Sequence, residues 1–416
     1  MAASNAASLA ILKRRYPTGQ VPKATFQDFP LLGVTEKHED FDGDDWALPI
    51  ITENPQGVGG TVGRAQEALA QSTFARFLMT RVEYYGVARI KGQALRTATK
   101  KGGGALVDLW VNEMDGITRM VMKLFEIYLF GTGNAVLGTA ASGTAGVTVT
   151  LTVAEDVNNF DLGGRYGAVS DTTLSPTIRV GSRVITAINR TAGTITAIAA
   201  WDAGIAALVP GDSFVRAGTS GTDGSVAGVP VAPFGLRQLI IGGATPGTLY
   251  SQSRNGDPVR LAGQVMDMTG LPMESAIIDL ESLITIQGFQ GKKTLWCNPR
   301  DVRQLKKSLG GKVTYPRVKM EGGTAGVSFE AVQFEGDGST INIATSPFCP
   351  IQNVILKDMS TFCLYSAGGA PMLLDFDKSE FLRVSNDDAY EVRVGAYLNA
   401  GDNCPVKSAR GTGWGA

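Results

Sequence analysis

The stretch "GALVDLWVNEMDGITRMVMKLFEIYLFGTG", residues 104–133, decides how this chain is read. Leu106, Trp110, Met114, Ile117, Val121, Leu124 and Tyr128 recur at steps of four and three. That spacing keeps one apolar stripe on one face of an α-helix. Asp108, Glu113, Asp115, Arg119, Lys123 and Glu126 interrupt the run, so a bilayer-spanning segment of ~20 nearly uncharged residues is excluded. The stripe is expected to be one-sided and the rod to back a sheet. At ~1.5 Å per residue, about 26 residues give a rod of roughly 39 Å.

Upstream of the rod, "DDWALPIIT" (44–52) reads as a strand. Its return limb places Leu78, Thr80, Val82, Tyr84, Ala88 and Ile90 on one face and Arg81, Glu83, Arg89 and Lys91 on the other. Between them, "ENPQGVGGTVGRAQEALAQS" holds a glycine-rich tip and a short helical piece containing Arg64. A lone two-stranded hairpin is marginal in water. One offering Trp46, Ile50, Ile51, Phe77 and Tyr84 needs something to lie on.

Downstream, composition changes. No lysine occurs between Lys123 and Lys292, and residues 134–232 are rich in Gly, Ala, Thr and Val. Val147, Val149, Leu151 and Val153 alternate with threonines, "RVITAINRTAGTITAI" reads as a hairpin turning near Ala192 and Gly193, and "PGDSFVRAG" as a further strand. A small all-β barrel or sandwich set into the chain is predicted. Helices follow at 272–287, with the stripe Met273, Ile277, Leu280 and Ile284, and after Asn298, the N-cap, with Pro299 in the first turn and Gly310 as C-cap. Short strands and loops fill the remainder, closing on "AYEVRVGAYL" (389–398).

The totals narrow the function. A chain of 416 residues is expected to divide into two or three domains. Lys plus Arg is 38 against 39 for Asp plus Glu, which leaves no basic surplus for autonomous nucleic-acid binding. Gly is 52 of 416, nearly double the usual ~7%, which points to many turns. Cys297, Cys349, Cys363 and Cys404 form no CxxC pair and are expected to be free, mostly buried thiols of a cytosolic product, without metal or redox chemistry. The N-terminus places its basic cluster after a short apolar run, the reverse of a secretory signal.

Catalytic and cofactor motifs are wanting. His38 is the sole histidine, no GxSxG elbow or GxxxxGK[ST] loop occurs, and His38 is expected to be a polar loop residue. The acidic run "HEDFDGDDW" has Asp45 and Ile51 where a calcium loop wants Gly and Glu, so it reads as a solvated turn. "GKK" (291–293) and "LKKSLGGK" (305–312) read as solvated basic clusters. No catalytic, cofactor or metal residues are assigned, no cofactor is expected, and no enzyme activity is expected.

The order of these patterns resembles the major capsid proteins of tailed bacteriophages, the α+β fold named after phage Hong Kong 97 and shared with herpesvirus shells and encapsulins. The residues that carry the resemblance are "PIITENPQGVGGTVGRAQEALAQSTFARFLMTRVEYYGVARIKGQAL" running into the long helix, then "VTVTLTVAEDVNNFDLGG", "RVITAINRTAGTIT", "VPGDSFVRAG" and "WCNPRDVRQLKKSLG". The resemblance implies an N-terminal arm (1–34), an extended E-loop hairpin (35–96), a peripheral domain with the spine helix (97–133), an inserted β-barrel (134–232), more of the peripheral domain (233–310), an axial domain (311–370) and a peripheral return strand with the C-terminus (371–416). It further implies self-assembly as hexamers and pentamers into an icosahedral shell around double-stranded DNA. The shell would be built in the host cytoplasm and carried in the virion, with a separate scaffolding protein, a portal and decoration proteins as partners, weak contact with packaged DNA and no membrane. Inter-subunit contacts are expected at Trp46, Ile50, Ile51, Arg64, Phe77, Leu78, Val82, Tyr84 and Ile90, and replacing Tyr84 and Ile90 by Asp is expected to block shell closure.

Two departures qualify the resemblance. No lysine lies between Lys37 and Lys91, so an isopeptide crosslink through the tip is not expected. Met1 leads almost directly into the arm, so a fused scaffolding segment is not expected either. Two alternatives stand beside this reading. One is an encapsulin-like compartment; the other is a β-rich carbohydrate-binding protein or enzyme, suggested by Thr- and Gly-rich strands and scattered carboxylates.

Overall fold

A computed structural model describes residues 29–92, 109–170, 177–216, 225–226, 229–230, 232–309, 332–335, 340–374, 382–385 and 387–415. Most of the expected arm, the first turn of the expected spine helix, Gly310 and residues 311–331 lie outside them.

The described chain opens with a short helix, α1 (Pro30–Val34), and a strand, β1 (Glu36–His38). His38 is therefore in a strand, where its ring stacks on Tyr365 at 5.2 Å, rather than in a loop. The aspartates that follow, Asp40, Asp42, Asp44 and Asp45, are exposed. Strands β2 (Asp45–Glu53) and β3 (Thr73–Thr80) pair antiparallel from Asp45 opposite Thr80 to Glu53 opposite Thr73. Between them sits the short helix α2 (Val62–Glu67), whose N-cap Thr61 accepts a hydrogen bond from the Arg64 amide.

The hairpin ends at Arg81. Beyond it β4 (Val82–Lys91) leaves β2 and enters a different sheet. That break also inverts the alternation: Ala75, Phe77 and Met79 are the buried positions before Arg81, and Val82, Gly86, Ala88 and Ile90 after it. The expectation of one continuous face through Leu78, Thr80 and Val82 fails here, because one residue outside the ladder shifts a period-2 pattern to the other face.

The spine helix α3 (Leu109–Phe130) lies against β4. Gly86 allows the approach, since a Cβ there would stand 2.8 Å from Ile117 Cγ1 and 3.0 Å from Val121 Cγ2. From Val121 to Phe130 all residues except Met122 are buried, so the helix is enclosed over its last turns rather than one-sided. Lys123 and Glu126, two of the charges that interrupt the stripe, are 5% and 0% exposed.

Strands β5 (Gly138–Ser142), β6 (Thr148–Leu151), β7 (Arg165–Val169), β8 (Arg183–Asn189), β9 (Thr194–Ala197) and β10 (Ser213–Arg216) close a barrel in the order β10-β5-β6-β9-β8-β7. The β8/β9 hairpin turns through Gly193, which adopts φ +64°. Val149, Leu151, Ile195, Trp201 and Phe214 fill the interior.

After the barrel come β11 (Gln264–Asp267), α4 (Met273–Ile286), β12 (Lys293–Cys297), α5 (Pro299–Leu309), β13 (Val332–Glu335), β14 (Thr340–Thr345), β15 (Asn353–Lys357), β16 (Phe362–Ser366), β17 (Met372–Leu373), β18 (Leu382–Arg383), β19 (Ala389–Asp402) and β20 (Ser408–Thr412). Helix α4 buries Ala276, Ile277, Leu280 and Ile284 as its spacing requires, while Asn298 accepts from the Arg300 amide at the start of α5. Strands β11-β20-β15-β12-β14-β13 form one sheet, covered by α4 and α5 around a core that includes Trp414. The expected boundary at 310/311 cuts this sheet, since β12 and β14 pair in parallel across it. The second sheet joins β1, β16, β19 and β17, with β4 and β18 also on β19. A buried polar knot ties the sheets: Lys357 Nζ donates to Asp402 at 2.6 Å, to Ser408 Oγ at 2.8 Å and to Thr361 Oγ1 at 3.1 Å.

Candidate assembly surface

The β2/β3 hairpin has two chemically different faces. On one, Trp46 opposes Met79, Leu48 opposes Phe77 and Ile50 opposes Ala75. This face lies on its own chain: Phe77 is 3% and Met79 0% exposed, and Trp46 packs on Phe41 at 5.9 Å and Tyr365 at 5.5 Å. Polar contacts hold it there. The Leu78 amide donates to the Tyr250 carbonyl at 2.9 Å and the Arg76 amide to Gln252 at 3.2 Å. Farther out, Arg260 donates to the Thr52 carbonyl and pairs with Glu53 at 2.7 Å. The base is fixed by Asn399, which donates to the Thr80 carbonyl at 2.8 Å and accepts from Tyr250 Oη and the Phe234 amide.

These contacts correct the premise that the hairpin cannot satisfy its apolar side within one chain. Phe77, Val82 and Ile90, three of the expected inter-subunit residues, are buried in their own subunit. Trp46, Ile50, Leu78 and Tyr84 are half-buried, Tyr84 lying against Phe125 at 5.7 Å and Tyr128 at 6.0 Å on the spine helix. Ile51 and Arg64 remain exposed.

The other face is where apolar surface goes uncovered. Ile51 stands opposite Phe74, and they are 60% and 65% exposed. Beyond them Val58, Val62 and Leu69 around α2 are 82%, 75% and 73% exposed. Scattered exposed aliphatics are ordinary, but five large apolar side chains exposed along one hairpin and its connecting helix are a concentration of the kind that interaction surfaces show. Sequence alternation could not separate Ile51 from Ile50, since both faces of β2 carry apolar residues.

Ion pairs join other parts of the chain. Lys123 on α3 meets Asp161 beside the barrel at 2.9 Å, and Arg300 on α5 meets Glu155. Glu126 accepts from the Leu31 and Leu32 amides at 3.1 and 2.9 Å and from Ser346 Oγ at 3.0 Å, which fixes α1 to the spine helix. Burial pushes its carboxyl up to about 7, against the pull of those donors. Lys293, expected in a solvated basic cluster, is instead 3% exposed and paired with Glu281 at 3.3 Å. A cavity of about 330 Å³ lies where the end of α3, the barrel and the 348–353 turn meet, with Asp156 and Arg237 in its wall.

Cys297, Cys349 and Cys363 are buried free thiols and Cys404 a half-buried one. Burial pushes the Cys363 thiol above its ordinary value. Among the described residues one group has the composition of a metal site, Glu36, His38 and Cys363. No helix among the described residues is long and apolar enough to cross a membrane.

No protein-family model matches this chain, and no curated protein matches it. Solved structures resemble it along nearly its whole length. The capsid of the native GTA particle is 8% identical, with 96% of this chain and 95% of that chain covered at a TM-score of 0.49. The Cyanophage A-1(L) capsid is 10% identical, with 95% and 96% covered at 0.48. The holo-SrpI encapsulin complex from Synechococcus elongatus PCC 7942 is 8% identical, with 97% and 94% covered at 0.48.

Proposed function

We propose that this chain is the shell-forming subunit of a tailed-phage capsid, in which hexamers and pentamers close an icosahedral particle around double-stranded DNA. The observation that carries the reading is the divided hairpin: one face fastened to its own subunit, the other presenting Ile51 and Phe74 with an apolar tip beyond. A projecting arm held rigidly at its base and left apolar at its end is built to lie on the next subunit of a ring, a head-to-tail contact that closes when the rotation closes. In this reading β2, α2 and β3 form the E-loop, α3 is the spine, and the barrel is an insertion accessible to decoration proteins. A near-neutral balance of 38 basic and 39 acidic residues suits a lining that contacts packaged DNA weakly. The particle forms in the host cytoplasm, with scaffolding and portal as separate partners.

Light scattering and electron microscopy of the purified chain test this. Rings or closed particles of uniform diameter are expected. A persistent monomer under every assembly condition, including added scaffolding protein, would overturn it. A compartment enclosing enzymes in place of DNA would show protein cargo in purified particles.

A further inference from the structure

The parallel register of β1 on β16 sets Glu36 beside Cys363 and His38 beside Tyr365. In a strand, residues two apart share a face, so Glu36 and His38 point to the side on which Cys363 lies. One ligand atom from each of Glu36, His38 and Cys363 lies within 4.8 Å of the other two. This brings together the chain's sole histidine, one of four cysteines and a carboxylate, although 325 positions separate His38 from Cys363 (363 − 38).

We propose that Glu36, His38 and Cys363 form a binding site for a zinc-class divalent cation. Thiolate, imidazole and carboxylate together suit Zn²⁺ and its congeners, whereas Ca²⁺ and Mg²⁺ want oxygen ligands throughout. Ligand atoms around a tetrahedral zinc stand roughly 3.3 to 3.8 Å apart, given bonds of about 2.0 to 2.3 Å. Closing from the spacing seen here takes about 1 Å of movement. The side chains able to supply it are Glu36, which is exposed, and His38, which is half-buried, while Cys363 stays fixed in the sheet at 1% exposure.

The surroundings already orient the ligands. The His38 ring lies on Tyr365 with an interplanar angle of 23°, and Asn403 Nδ2 points at Cys363 Sγ from 4.0 Å, a donor that would support a thiolate. Binding replaces the thiol proton: the Cys363 S–H bond breaks, an S–Zn bond forms and the proton passes to solvent, with no change of oxidation state. Glu36 is exposed, so a fourth ligand position on its side would be open to a solvent water. The site would pin β1, the first strand among the described residues, to the sheet built on β19. This proposal is independent of shell assembly.

Cobalt(II) is the probe, added to the purified metal-free full-length chain. Equimolar binding is expected, with a thiolate-to-cobalt charge-transfer band in the near ultraviolet and the intense visible bands of four-coordinate Co²⁺, both abolished by Zn²⁺. Cys363→Ser removes the charge-transfer band and Cys404→Ser retains it. Because Cys363 is buried, His38→Ala and Glu36→Gln at the accessible ligands give a second measure, and each is expected to weaken Co²⁺ binding by at least about tenfold. Zn²⁺ is expected to raise the Tm of the natural chain and not that of His38→Ala. A missing charge-transfer band, or undiminished binding by His38→Ala, would overturn the proposal.

Discussion

Ile51 and Phe74 face each other directly across the β2/β3 ladder, and both turn away from the subunit that carries them. Their immediate neighbours along the strands, Ile50 and Ala75, form the adjacent pair and turn inward. Two consecutive rungs of one hairpin thus serve different partners, the subunit's own core and, in the proposed shell, the neighbouring subunit.

Ile51→Ser with Phe74→Ser is therefore predicted to separate assembly from folding. Burying a large apolar side chain contributes about 1.5 to 3 kcal/mol, and every copy in a ring would lose two such contributions. The expected result is a soluble chain with the Tm of the natural monomer and no closed particles. Normal particles from the double variant would remove the outward face from the contact.

Ile90→Asp is predicted to act differently from the assembly block expected from sequence. Ile90 is 2% exposed on β4, opposite Tyr390 of β19, so the new carboxylate is buried in the subunit's own sheet. A loss of about 4 kcal/mol or more of folding stability is expected, read as a lower denaturant midpoint and an insoluble product. A soluble, fully stable Ile90→Asp monomer would mean that β4 is not held as described.

The difference between those variants shows what the sequence could carry. Period and capping alone located the helices at 273–286 and 299–309, the 183–197 hairpin and the barrel strands β6 and β10, because those patterns are local, whereas β5 and β7 carry no comparable alternation and do not read as strands. The side of the hairpin that meets the subunit depends on Arg81 stepping out of the ladder and on Tyr250, Gln252 and Asn399, which lie 170 residues or more farther along the chain. No local pattern encodes that. The grouping of Glu36 and His38 with Cys363 was hidden for the same reason, and so was the burial of Lys293, whose partner Glu281 sits on a separate element.

Lys357→Met tests the knot between the two sheets. Lys357 and Asp402 are 0% and 1% exposed at the side chain, so removing the ammonium leaves a buried carboxylate without its ion partner. A cost of about 3 to 5 kcal/mol is predicted. Adding Asp402→Leu is expected to recover most of it, since a buried pair replaced whole by apolar groups is often close to neutral. Additive losses in this double-mutant cycle would show that the two groups do not act as a pair.

Glu126 predicts an acid-favoured subunit. Its carboxyl titrates near 4.5 in an unfolded chain, whereas burial raises it to about 7 in the folded one. Between those values the native state holds a proton that the unfolded chain has released, so stability falls as pH rises. The contribution is fully present below about 4.5 and is lost as pH passes through 7, a swing of about 3 kcal/mol at 1.36 kcal/mol per unit. Asp156, pushed up to about 7, and Asp301, to about 6, add slopes of the same sign. Glu126→Gln deletes the first of these. Because an amide has a single acceptor oxygen, it serves the Leu31 and Leu32 amides less well and costs about 1 kcal/mol at pH 5. At pH 8 the variant is expected to match or exceed the natural chain. Urea unfolding at the two pH values reads both terms, and an unchanged pH dependence in Glu126→Gln would show that this carboxyl is already ionised in the folded subunit and that its three donors outweigh its burial.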